Sequence, residues 1–316
     1  MSEAGNTGNV IPGSARDPRG ADPYNIEGRE TGESRPVIPL GQKGYDGQQR
    51  PRMGFFTDTT VCIGCKACEV ACKEWNDVPS VIDELTGNSY DNTGELGADS
   101  WRHVAFIEQQ KPVKVQQEAG VTTPASEAQT DFRWLMSSDV CKHCTEAPCL
   151  DVCPTGSLFR TEFGTVVVQE DICNGCGYCV PACPFGVLDQ REGDGRVWKC
   201  TLCYDRTKDG LEPACAQACP TDSIQFGPLD ELREKANGRL EMLHEAGETD
   251  TRLYGADERE YGMGAFFLLR DDPEVYGLPP DPEAVSRKFG SLWGPAVAAA
   301  GALAVGVAAA FAGGGR

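Results

Sequence analysis

Apolar residues are unevenly spread along this chain, and their spacing predicts a small set of short elements. Trp101-Arg102-His103-Val104-Ala105-Phe106 and Asp131-Phe132-Arg133-Trp134-Leu135-Met136 alternate between apolar and polar positions, the period of a half-buried strand. Thr165-Val166-Val167-Val168 follows Phe163-Gly164 and predicts a further strand, the arm of a hairpin. Leu229, Leu232, Ala236, Leu240 and Leu243 recur at helical spacing, so a helix is expected from Asp230 to about Ala246 with Gly247 as its C-cap. Gly238 weakens that helix. Ala265-Phe266-Phe267-Leu268-Leu269 reads as a buried strand with an ordinary packing role.

The two ends depart from this pattern. Residues 1–52 are rich in Gly, Pro, Asn and charge, a composition that buries too little area to offset the entropy of ordering. They are expected to form an arm, disordered alone or extended over a partner. From Leu292 to Ala312 no residue is charged, a length that suffices to cross a bilayer core. Ala298, Ala302, Gly306 and Ala310 form a small-residue stripe of the kind that lets membrane helices approach closely. Trp293 suits the membrane interface, and Pro295 is expected in the first helical turn. The expectation is a transmembrane anchor over 291–316 docked on a membrane subunit and lipid; a lone buried helix is the alternative.

At 316 residues the chain has room for two domains, and its net charge of -19 excludes nucleic acid, which needs a cationic surface. The polar start Met1-Ser2-Glu3-Ala4-Gly5 carries no signal-peptide pattern, which leaves a cytoplasmic protein or export alongside a partner. No glycine-rich dinucleotide fingerprint, P-loop or H-E-x-x-H motif occurs, so no catalytic residue is assigned.

The sixteen cysteines dominate the chemistry, and their spacing is specific. Cys173, Cys176, Cys179 and Cys183 followed by Pro184 form C-x2-C-x2-C-x3-C-P, the run of bacterial two-cluster ferredoxins. Cys62, Cys65, Cys68 and Cys72 repeat it without the proline. Cys141, Cys144, Cys149 and Cys153, and then Cys200, Cys203, Cys215 and Cys219, lengthen the gap between second and third ligands. Gly175 and Gly177 are expected to bring the backbone close to the inorganic core. Four groups of four make ligands for four [4Fe-4S] clusters with none left over.

In the ferredoxin scheme the last cysteine of each run serves the neighbouring cluster. The expected sets are Cys62, Cys65, Cys68 and Cys219 for cluster one, and Cys141, Cys144, Cys149 and Cys183 for cluster two. Cluster three takes Cys173, Cys176, Cys179 and Cys153; cluster four takes Cys200, Cys203, Cys215 and Cys72. A disulfide framework is disfavoured because C-x2-C-x2-C packs thiols too tightly. A zinc scaffold uses paired C-x2-C units and leaves the third step and the C-x3-C-P unexplained. His143 is surplus to the ligand count and is expected to pack near a cluster; His103 and His244 have no motif partners.

The arrangement resembles the iron–sulfur subunits of molybdopterin oxidoreductases. Cys62 to Cys68 continuing to Glu74-Trp75-Asn76-Asp77, together with Tyr276-Gly277-Leu278-Pro279 and the anchor, is similar to the beta subunit of membrane-bound formate dehydrogenase. Lys199-Cys200-Thr201-Leu202-Cys203-Tyr204-Asp205-Arg206 and Glu212-Pro213-Ala214-Cys215 are shared more widely in that family. The resemblance covers about residues 53–312. It implies an α+β fold of two nested ferredoxin-like units with inserted short strands and one C-terminal transmembrane helix. The outer pair would come from 53–80 and 196–228, the inner pair from 137–195, with an insert over 81–136 and an extension over 229–290. The implied role is non-catalytic electron transfer from a molybdenum- or tungsten-pterin alpha subunit to a membrane gamma subunit, commonly a cytochrome b. A polysulfide, thiosulfate or nitrate reductase is the neighbouring alternative. The family also implies a single-pass membrane protein with its bulk on the outer face by co-export, although Arg287 and Lys288 before the anchor, against Arg316 after it, favour the opposite side.

Overall fold

The computed structural model describes residues 50–80, 87, 90–112, 130–257, 262–283 and 285–312. The arm expected over 1–52 therefore lies, up to residue 49, outside the described residues. The first half holds β1 (Met53–Asp58), α1 (Ala67–Asn76), β2 (Arg102–Pro112), β3 (Thr130–Val140), α2 (Pro148–Asp151), β4 (Leu158–Arg160) and β5 (Val166–Val168). There follow α3 (Cys179–Ala182), β6 (Asp189–Gln190), β7 (Val197–Trp198), α4 (Tyr204–Lys208), α5 (Ala214–Gln217) and β8 (Ile224–Pro228). The last part contains α6 (Leu229–Glu245), β9 (Arg252–Tyr254), β10 (Ala265–Leu269) and the terminal helix Val285–Ala312.

A four-stranded sheet in the order β8-β1-β10-β9 backs the cysteine-bearing region. β1 runs antiparallel to β8, with Phe55 opposite Phe226, and parallel to β10, with Phe56 opposite Phe266. Every residue of β1 and β10 is buried, so neither strand alternates in polarity. β10 is still marked by its continuous apolar run, whereas β1, Met53-Gly54-Phe55-Phe56-Thr57-Asp58, and β8, which holds Gln225, Gly227 and Pro228, show neither a run nor an alternation. The segment 229–290 does not stand apart from the cysteine region: β10 occupies the middle of the sheet, and α6 packs across β1 and β8.

Close packing at this junction is visible at Gly54. A Cβ there would sit 2.0 Å from Gly264 O and 2.5 Å from Leu229 Cδ2, so β1 and β10 meet over a position with no side chain. Helix α6 buries Leu229, Leu232 and Ala236, and the Leu229 N–H donates to Arg52 O at 2.9 Å. Gly238 faces open space on its outer side, while Gly247 takes φ +93° one residue beyond the C-cap at Ala246.

The two alternating stretches become a hairpin of eleven-residue strands, β2 and β3, with Phe106 opposite Met136. A second hairpin pairs β4 with β5 beside the second and third cysteine groups. The terminal helix differs from expectation in one respect. It starts at Val285, so Pro295 lies inside it and not in its first turn; residues upstream of the uncharged run already hold helical backbone. Among the described residues no helix is long and apolar enough to cross a membrane.

Candidate electron-transfer site: four rings of thiols

All sixteen cysteines are free thiols. Four helices place the third and fourth thiols of the groups. Cys68 and Cys72 both lie on α1, whereas Cys149, Cys179 and Cys215 lie on α2, α3 and α5, with Cys153, Cys183 and Cys219 just beyond their ends. Residues four apart in a helix share a face and are separated by about 6 Å along the axis. Each helix therefore offers one thiol to one space and the next thiol to the space beyond. α1 packs on α5 and α2 on α3, which brings these steps together in two pairs.

Three partly open cavities result. Cys62, Cys65, Cys68 and Cys219 line one of about 290 Å³, here ring one. Cys141, Cys144, Cys149 and Cys183 line another of about 320 Å³, ring two. Cys153, Cys173, Cys176 and Cys179 line a third of about 290 Å³, ring three. In the remaining group, buried Cys72 interacts electrostatically with Cys200, Cys215 and Cys203, giving ring four. The rings lie in a row. Cys68 of ring one feels Cys215 of ring four, Cys200 of ring four feels Cys141 of ring two, and α2 and α3 link rings two and three.

The donor chemistry fits polynuclear iron–sulfur groups. A single zinc bound about 2.3 Å from each sulfur would hold the sulfurs about 3.8 Å apart. Among the described residues, no three His, Cys, Asp or Glu side chains converge closely enough for one metal ion, so the thiols surround a space and not a point. Polar hydrogens gather at the sulfurs. Leu202 N–H lies 3.3 Å from Cys200 Sγ, and Asn76 Nδ2 lies 3.7 Å from Cys72 Sγ and 3.8 Å from Cys203 Sγ. Ser157 and Thr155 hydroxyls lie 3.4 and 3.6 Å from Cys153 Sγ. His143 lines the ring-two cavity; its Nδ1 accepts the Val166 N–H at 3.1 Å, which puts the ring hydrogen on Nε2. That buried Nε2 has no hydrogen-bond partner among the described residues, an orphan donor beside a space that an acceptor-rich group would fill.

Burial governs ionisation. Desolvation pushes the Cys200 thiol up to about 12 and Cys68, Cys203 and Cys179 up to about 11, and it raises Cys149 and Cys72 strongly. Such thiols ionise only against a compensating cation, so thiolate formation is coupled to metal assembly. Cys153 also meets a desolvation penalty, but donors from Ser157, the Leu158 backbone and Thr155 outweigh it and bring the thiol down to about 6.

Among the described residues, three fully buried cations lie beside the rings. Lys199 Nζ donates to Cys200 O at 2.8 Å and to Val166 O, and its charge favours ionised Cys149 and Cys200. Lys142 pairs with Asp139 and lies over the Phe185 and Phe267 rings. Arg102 is the third, fully buried at the base of β2. Lysines flanking ligand cysteines can be seen in sequence; Arg102 is remote from every cysteine and carries no such signal.

The scaffold around ring one is held by Glu69, which accepts from Val104 N–H at 2.5 Å, Lys66 Nζ at 3.0 Å and Thr93 Oγ1 at 2.9 Å. Trp75 donates to Asp205 Oδ2 at 2.8 Å and stacks under the Arg206 guanidinium, joining α1 to α4 around ring four. His103 pairs with Asp91 at 2.7 Å and His244 bonds Thr251 O at 2.9 Å, and neither lines the cavities of rings one to three. Gly175 and Gly177 adopt φ +70° and +73°, but a Cβ on Gly175 would meet Gly195 O at 2.4 Å and one on Gly177 would meet Gln190 Oε1 at 3.2 Å. Crowding from the β6–β7 loop therefore accompanies the backbone need for glycine.

Comparison with known proteins agrees with this chemistry. The 4Fe-4S dicluster domain matches residues 61–157 and again residues 132–229. The nitrate-inducible formate dehydrogenase iron–sulfur subunit of Escherichia coli (strain K12) is 39% identical over 254 residues, 78% of this chain and 79% of its own length. A formate dehydrogenase iron–sulfur subunit of Haemophilus influenzae is 38% identical over 233 residues, 72% of this chain and 68% of its own. A polypeptide of the anaerobic dimethyl sulfoxide reductase of Escherichia coli is 37% identical over 182 residues, 58% of this chain and 76% of its own.

Proposed function

Because this protein belongs to the family of formate dehydrogenase iron–sulfur subunits, we propose that it carries electrons from formate, oxidised at a molybdenum- or tungsten-pterin partner, to a membrane subunit. It is an electron-transfer subunit of a molybdoenzyme complex; the substrate chemistry belongs to the partner. Each [4Fe-4S] group, when bound, takes up and returns one electron. The observation that carries this reading is the row of four thiol rings. The proposed ligand sets are the four rings: Cys62, Cys65, Cys68 and Cys219; Cys141, Cys144, Cys149 and Cys183; Cys153, Cys173, Cys176 and Cys179; Cys72, Cys200, Cys203 and Cys215. The protein's own residues exclude water from ring four, supply N–H and O–H donors to the sulfurs, and hold neighbouring rings one helical turn apart.

The membrane subunit, a cytochrome b in this reading, would receive electrons at one end of the row. The uncharged run from Leu292 to Ala312 supports a transmembrane anchor, as does the exposure of Trp293, Val297, Leu303 and Val305 on the terminal helix. The bulk of the chain would lie on the outer face, exported with its catalytic partner. A second reading, service to another reductase, draws on the likeness to the dimethyl sulfoxide reductase polypeptide over 58% of this chain.

The test is anaerobic purification of the whole complex from native membranes. Formate should reduce its clusters and exogenous quinone should reoxidise them. Clusters that stay oxidised with formate but are reoxidised by dimethyl sulfoxide or polysulfide after chemical reduction would replace formate dehydrogenase with the second reading. Deleting residues 291–316 should release the complex from membranes; retention would remove the anchor.

A further inference from the structure

The first strand of the hairpin, in the segment expected to be a mere insert, delivers Arg102 between two thiol rings. Its Nη2 lies 3.3 Å from Cys215 Sγ of ring four. Its Nη1 lies 3.2 Å from Ser138 Oγ, and that oxygen lies 3.3 Å from Cys68 Sγ of ring one. Arginine can only donate, and a cluster-bound Cys68 thiolate can only accept, so with the cluster held Ser138 accepts from Nη1 and turns its own hydrogen to the Cys68 sulfur. One guanidinium thus reaches one ring directly and the other through a hydroxyl.

No carboxylate pairs with Arg102 among the described residues, and its guanidinium lies 4.9 Å over the Phe55 ring. A buried charge without a carboxylate is costly unless something nearby is negative. The thiols that interact with it most strongly, Cys215, Cys68, Cys200 and Cys72, all belong to rings one and four. Ring three differs: the strongest favourable partners of its Cys153 are hydroxyls and backbone N–H groups.

We propose that Arg102 is a fixed positive charge that raises the reduction potentials of the clusters held by rings one and four together, keeping the step between them level in energy. This rests on the ring assignment proposed above. In the step concerned, one electron leaves the donor cluster, which is oxidised by one, and enters its neighbour, which is reduced by one; no bond forms or breaks and no proton moves. Arg102 favours whichever ring carries the extra electron, and lying between both it favours them alike. Fields at this distance inside a protein are weakly screened.

The test uses the complete complex bearing Arg102→Gln, Arg102→Lys or Ser138→Ala, purified anaerobically, with iron and sulfide counted first and redox titration followed by paramagnetic resonance. In Arg102→Gln the full iron content is expected. The reduction equilibria of two clusters should fall about tenfold each, which is about 59 mV for one electron, and the other two should not move. Arg102→Lys should keep more than half of the wild-type advantage. Ser138→Ala, which cuts only the path to Cys68, should lower one cluster alone. Unchanged potentials in Arg102→Gln at full iron content would overturn the proposal. So would loss of the same clusters from both Arg102 variants, which would make the guanidinium an assembly element. A wild-type complex short of four clusters would instead overturn the ring assignment.

Discussion

Cys183 shows how one side chain links two parts of the molecule. It follows α3, whose Cys179 faces ring three, yet it lines the ring-two cavity with Cys141, Cys144 and Cys149. Cys183→Ala should therefore abolish the paramagnetic signal of the ring-two cluster while that of ring three survives; the reverse pattern would refute crossed ligation. Gly54 is as exacting in a different way. A methyl group there would press on Gly264 O and Leu229, so Gly54→Ala should destabilise the fold by about 1–3 kcal/mol, read as a lowered denaturant midpoint.

Among the elements, the β2–β3 hairpin is fastened at both ends. At its far end Arg133 Nη2 and Gln109 Nε2 reach Asp271 at 2.5 and 2.8 Å, tying the hairpin to the residues that follow β10. Asp271→Ala leaves a half-buried guanidinium short of a partner and should cost about 1–3 kcal/mol, with faster hydrogen exchange in β2 and β3 as the local signature. At its near end Asp91 bonds His103, Lys66 and the Gly94 N–H. Burial works against the Asp91 carboxylate, but these donors outweigh it and lower its pKa. A lowered carboxylate contributes stability that is complete above the unfolded value of about 3.9 and is lost as pH falls through the folded one. Asp91→Asn should accordingly flatten the acid limb of a stability-versus-pH curve, and an unaltered limb would show that these contacts contribute nothing.

For the whole molecule, the rings form a line because the outer pair, on α1 and α5, and the inner pair, on α2 and α3, touch through ring four and ring two. This chain should hold about 16 iron and 16 sulfide, four for each of four rings, so the intact complex should contain at least that much per copy of it. Because burial raises eight of the thiols, stripping the iron should also cost the fold: the chelated protein should lose its cooperative unfolding transition, measured by near-ultraviolet circular dichroism. A chelated protein that unfolds at the wild-type midpoint would mean the sheet carries the stability alone.

The kind of cofactor and the number of its ligands could be read from the residues alone, because C-x2-C-x2-C-x3-C is a local constraint that a loop and one helical turn satisfy without reference to the rest of the chain. The same holds for α6 and the two hairpin strands, whose amphipathic period is written along each segment. Other features depend on contacts between remote segments. The parallel pairing of β1 with β10 joins Phe56 to Phe266, and the approach of Arg102 to Cys215 spans 113 positions. An apolar run announces Ala265–Leu269, but its partner Met53–Asp58 has neither run nor alternation, and a cation 30 or more residues from any partner has no spacing rule to reveal it. The order of the rings belongs to the same class, since it is set by which helices pack together and not by where their cysteines fall along the chain.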